Sequence, residues 1–117
     1  MTCGDTAGQW CPAIAGSTWN VEPYIGEDAT AVAVFTYAGQ IAVTTVVNTG
    51  QVLVGSWDHS GTSFIWSGTD ILDNTYRLTF TVEADECGPL GGVHSAHGDI
   101  VQQDVGQVGV AYITRVI

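Results

Sequence analysis

Few side chains in this sequence can move a proton near neutral pH, and they bound the chemistry open to it. The histidines are His59, His94 and His97, and imidazole ordinarily changes charge between roughly pH 5 and 8. His94-Ser95-Ala96-His97 has the HxxH spacing, which on a helix would set both rings on one side. Here it lies in a glycine-rich stretch, where the spacing carries little geometric meaning. Joined by Asp58 or Asp99, two or three imidazoles would suit a transition metal. Two solvated histidines with no shared role are the preferred reading, so neither a metal at His94 and His97 nor a cofactor is expected.

Nucleophilic catalysis finds no support. There is no Gly-x-Ser-x-Gly, and Cys87 has no basic neighbour or helix start to activate its thiol. Asp58-His59-Ser60 contains the three residue types of a catalytic triad, but adjacent positions in a tight turn cannot form its relay. Acid–base chemistry inside a dry cavity needs only one or two polar groups. His59, Tyr37, Tyr76 or Glu22 could supply them.

The aromatic residues offer binding rather than reaction. Trp19, Trp57, Phe64 and Trp66 are joined by Phe35, Tyr37, Tyr76 and Phe80. Flat rings give a large contact area at low entropic cost and can line a pocket for an apolar ligand. The same rings can simply fill a protein interior, and for the set as a whole that reading is preferred. Trp57, Phe64 and Trp66, with Tyr37, Tyr76 and His59 as polar selectors, form the expected ligand-binding set. Among the acids, Asp70-x-x-Asp73-Asn74 could offer oxygen atoms to calcium, but it lacks regular ligand spacing. A solvated turn is preferred.

The elements that carry these residues have a period of two. Residues 1–16 hold four glycines or prolines without periodicity and read as an irregular arm. From Ser17 apolar and polar residues alternate, and residues 17–117 read as one domain. Strands are expected over 17–25, 29–38, 41–47, 51–57, 62–67, 75–84, 99–104 and 107–117. Glycine, asparagine or aspartate separates them. The longer loops are 68–74 and 85–98. No segment has a helical period. Eight strands joined in sequence predict an all-β fold, an antiparallel up-and-down meander closed into a barrel. A two-sheet β-sandwich is the alternative.

Composition restricts the partners. Two arginines, no lysine and twelve acids give a net charge of −10 over 117 residues, which repels phosphate backbones and anionic membrane surfaces. Neither nucleic acid nor a membrane is therefore expected as a partner. The first residues lack the basic and apolar regions of a signal peptide, and no apolar run approaches membrane-spanning length. Cys3, Cys11 and Cys87 permit three different single disulfides, which favours a secreted, oxidising location.

Gly16-Ser17-Thr18-Trp19, with Arg115 in the last strand, resembles the Gly-x-Trp opening and closing basic residue of the lipocalin and avidin barrels. The spacing here is one residue longer. The resemblance implies a guanidinium over the Trp19 indole and tryptophans near strand ends around a ligand. The leading expectation is a small-molecule binding protein holding an apolar or aromatic ligand in a barrel cavity. A cyclase or isomerase acting on an apolar substrate in the same scaffold is the second. A structural, β-rich homo-oligomer is the third. The sequence does not decide whether the chain is an enzyme.

Overall fold

A computed structural model of the chain describes residues 17–25, 27–28, 30–36, 40–47, 49–60, 63–87 and 93–116. The expected arm over 1–16, with Cys3 and Cys11, lies outside the described residues. So do Tyr37 and the pairing of the cysteines.

The alternating stretches become strands: β1 Ser17–Ile25, β2 Glu27–Asp28, β3 Ala31–Phe35, β4 Ile41–Val46, β5 Val52–Ser60, β6 Ser63–Asp70, β7 Arg77–Cys87, β8 Val93–Gln102 and β9 Gly106–Arg115. β2 and β3 both pair antiparallel with β1, through Tyr24↔Asp28 and Val21↔Ala31, so they occupy a single strand position. Each later strand pairs with the next, and β9 returns to β1 in a register running from Trp19↔Arg115 to Tyr24↔Val110. The result is a closed, eight-stranded antiparallel barrel in up-and-down order, with no α-helix among the described residues. Closure by β1–β9 leaves no pair of separate sheets, which sets aside the sandwich. It also pairs strand edges that would otherwise template aggregation.

Alternation decides which residues enter the barrel. Trp19 and Val21 of β1, Ala31, Ala33 and Phe35 of β3, and Leu78, Phe80 and Val82 of β7 are all buried, while their neighbours face outward. Size is distributed around the ring. Large rings come from β1, β3, β5, β6 and β7 (Trp19, Phe35, Trp57, Phe64, Trp66 and Phe80), and the small buried residues Ala33, Ala42, Ala96 and Ala111 come from β3, β4, β8 and β9. Combining large with small residues is how a narrow barrel reaches interior packing density. Full burial of each large apolar side chain contributes about 1.5–3 kcal/mol.

Two glycines let the sheet bend at β5–β6. The register between Val54↔Thr69 and Trp57↔Trp66 sets Gly55 opposite Gly68. A Cβ at Gly55 would fall 2.2 Å from the Ser67 carbonyl oxygen, and one at Gly68 would fall 2.6 Å from the Leu53 Cβ. Only glycine permits so close a crossing of backbones.

Strand limits depart from the sequence reading in a consistent direction. β5 runs on through Asp58-His59-Ser60, expected as a turn, and β6 runs through Gly68 to Asp70. The expected 85–98 loop is mostly strand: β7 reaches Cys87, and β8 begins at Val93 and includes His94 and His97. Glycine and histidine are poor strand formers, but pairing with neighbours on both sides overrides that weak preference. Register shifts between Ala84, Glu86 and Cys87 absorb the irregularity as a bulge.

Candidate functional site

Antiparallel order gives the barrel two ends. The β3–β4, β5–β6 and β7–β8 connections lie at one, called lower here. The β4–β5, β6–β7 and β8–β9 connections lie at the other, the upper end.

The expected aromatic set forms one inner stack. Trp66 and Phe80 lie face to face, with centroids 4.5 Å apart and planes at 9°. Trp57 stacks on Phe64 at 5.6 Å, and Phe35 meets Phe64 edge-on at 4.9 Å. Such pairs are worth about 0.5–1.5 kcal/mol beyond burial. Hydrogen bonds fix the two indoles. The Trp66 Nε1–H donates to Thr44 Oγ1 at 3.1 Å, and the Trp57 Nε1–H donates to the Thr36 carbonyl at 2.7 Å. Gln40 Nε2 in turn donates to the Trp57 carbonyl at 3.1 Å, which ties that residue to the β3–β4 turn at the lower end. Phe64 and Trp66 are fully enclosed and Trp57 is 3% exposed, so these rings act as core.

The other expected residues that the structure describes lie on or next to several strands. Tyr76 sits at the upper end, half-buried against the core. His59 lies near the lower end of β5 and pairs in register with Phe64. His97 is exposed on the outside of β8, between Glu83 and Tyr112 in register. β6 and β7 separate it from His59, a backbone distance of about 14 Å. Of His94 the backbone alone is described, in β8. In a strand, where side chains alternate, the HxxH spacing loses the one-sided meaning it has in a helix. No group of three or more His, Cys, Asp or Glu among the described residues is arranged to hold a metal ion. Glu22 is exposed on β1, opposite Tyr112.

Arg115 packs its guanidinium 6.0 Å from the centroid of the Trp19 ring, across the β1–β9 closure. That is the outer limit of an effective cation–π contact. It lies at the seam where the first and last strands meet.

A concave site does occur at the upper end, in a place the sequence reading gave to a turn. Thr49, Gly50, Gln51 and Val52 from the β4–β5 connection face Asp70, Ile71 and Leu72 from the end of β6 across a cleft of about 350 Å³. Asp70 forms its polar base at 8% exposure, while Leu72 stands almost free at 92%. Asp70 accepts hydrogen bonds from Gln51 Nε2 and from the backbone N–H groups of Leu72 (2.8 Å) and Asp73 (3.3 Å). The Gln51 amide, ahead of the two backbone donors, holds the Asp70 carboxyl below the usual carboxylate range. Asp73 is lowered in the same direction by the Thr75 hydroxyl and backbone. Burial, reinforced by the Asp70 charge, pushes the neighbouring Tyr76 phenol up. The acids read as a solvated turn do border one, since residues 71–75 are exposed, and Asp70 alone is tucked beneath it. The signal that could have marked the place is Ile71-Leu72, an apolar pair inside an acidic connection.

Fold and site together define a closed all-β barrel with an aromatic interior and a small polar-based cleft on its upper rim. No family model, curated protein or solved structure matches the chain.

Proposed function

We propose that this chain is a small-molecule binding protein whose ligand, an apolar or aromatic molecule carrying a hydrogen-bond donor or amine, occupies the upper cleft. The observation that carries the reading is an ionised, hydrogen-bonded Asp70 beside the exposed Ile71 and Leu72 on one wall of a concavity. Apolar walls with one fixed polar group are the usual form of a ligand site, and the volume falls in the usual range of about 300–1,000 Å³. The carboxylate is held before any ligand arrives, which lowers the ordering penalty of binding. A net charge of −10 adds a field that concentrates cations and repels anions. The cleft is open and the ligand small, so an affinity on the order of 0.1–1 mM is expected.

A matched pair of probes tests this. Titrated calorimetrically, 1-naphthylmethylamine should bind at least tenfold more tightly than 1-naphthoic acid, and the difference should shrink in salt. Leu72→Ser should weaken the amine several-fold at an unchanged melting temperature, because that side chain touches little of the fold. Equal binding of the two probes, or no effect of Leu72→Ser, would overturn the reading.

A further inference from the structure

Many hydrogen-bonding groups at the base of the upper cleft are already spent inside the fold. The Gly50 N–H donates to the Val46 carbonyl at 2.8 Å, and the Gln51 N–H donates to Thr49 Oγ1 at 3.2 Å. The N–H groups of Leu72 and Asp73 both donate to Asp70 Oδ1. Two acceptors, however, are not fully used. A carboxylate offers about four lone-pair sites. On Asp70, Oδ1 is filled by its two backbone donors, while Oδ2 takes only Gln51 Nε2 and keeps one site. Gln51 must turn its Nε2 toward Asp70, because an ionised carboxylate can only accept. The Oε1 of the same planar amide accepts no hydrogen bond from the described residues. Both side chains stand on fixed backbone. The Val46 N–H donates to the Gln51 carbonyl at 2.8 Å, and the Ile71 N–H ties one wall to the other through the Val52 carbonyl at 3.1 Å.

Granted the cleft as the ligand site, on which this rests, we infer that the ligand's head group is a primary ammonium shared between Asp70 Oδ2 and Gln51 Oε1. Gln51 is then the residue that sets the choice among cations. An ammonium carries three donors that rotate freely, so it can meet two acceptors on different side chains. A guanidinium or amidinium pairs best with a carboxylate through two parallel bonds, one to each oxygen. Here Oδ1 has no site left for the second bond. A tertiary ammonium has a single N–H. It satisfies one acceptor and leaves the other desolvated beneath the ligand.

One aromatic group carried on three cations tests this by calorimetric titration: 1-naphthylmethylamine, its N,N-dimethyl derivative and 1-naphthylmethylguanidine. All three are charged at about pH 6. The primary amine should bind about fivefold more tightly than either of the others, the worth of one net hydrogen bond. Gln51→Met keeps the length of the side chain and removes its amide. It should bring the primary and dimethyl amines to within about twofold of each other. The melting temperature verifies that the variant is folded, and the wild-type comparison decides the matter where it is not. Equal affinity for the three cations, or tightest binding of the guanidinium, overturns the ammonium assignment and leaves the cleft as a ligand site. A folded Gln51→Met variant that keeps the wild-type preference overturns the role of Gln51. Failure of all three cations to bind removes the cleft reading and the ammonium assignment together.

Discussion

Single residues inside the barrel carry a penalty out of proportion to their size, because the interior has almost no polar groups to exchange. Thr44 is 2% exposed and its Oγ1 accepts the proton of the fully buried Trp66 indole. Thr44→Val keeps the shape but strands that N–H, and should destabilise the fold by about 1–3 kcal/mol. Thr44→Ser should retain the bond. In a Trp66→Phe background, Thr44→Val should be close to neutral, since both partners are then gone. Urea midpoints at constant m-value measure all four variants. The same small cost in both backgrounds would show that the hydrogen bond contributes little. Residues of this kind were half legible. The alternation of Trp19, Val21, Ala31, Ala33 and Phe35 fixed which way each points. That Thr44 would meet Trp66 depends on the register of strands 22 residues apart, which no local pattern encodes.

The β6–β7 connection is the element whose stability depends most visibly on charge. Folding lowers the pKa of both Asp70 and Asp73 below 3.8. The folded state therefore binds these protons less readily than the unfolded chain does. The stabilisation is fully present above the ordinary carboxylate range and is lost as pH falls through 3.8 and below. Acidification also relieves the repulsion of a −10 chain, which acts in the opposite direction, so the informative quantity is a difference. The melting temperature of wild type should exceed that of Asp70→Asn at pH 6, and the gap should narrow as pH falls below the ordinary carboxylate range. A gap independent of pH would remove the ionised carboxylate from the explanation.

Strands with one wet and one buried face, such as β7 from Arg77 to Glu83, were readable because the pleat writes itself into the sequence. β8 was not. His94-Ser95-Ala96-His97-Gly98 has no strand signature, and its conformation comes from β7 and β9 on either side. Gly68 misled for a related reason: it looks like a strand end, yet the crossing over Leu53 requires it inside the strand.

At the scale of the molecule, barrel closure explains why the aromatic residues that first suggest a binding wall serve as its filling. Eight strands enclose room for packed side chains or one small ligand, and Trp66, Phe64, Phe80 and Phe35 occupy it. Among the described residues a concavity lies at the rim, where two connections meet. Eight strands and their order could be counted from turns and alternation. The cleft could not, because it depends on how far apart the β4–β5 and β6–β7 connections stand once the sheet has closed. The barrel's two ends can be distinguished directly by following backbone amide resonances during titration with 1-naphthylmethylamine. Saturable shifts are expected, confined to Thr49–Val52 and Asp70–Leu72. Shifts clustered instead on Thr36, Gln40 and the Trp57 indole N–H at the lower end, or none at all, would contradict it.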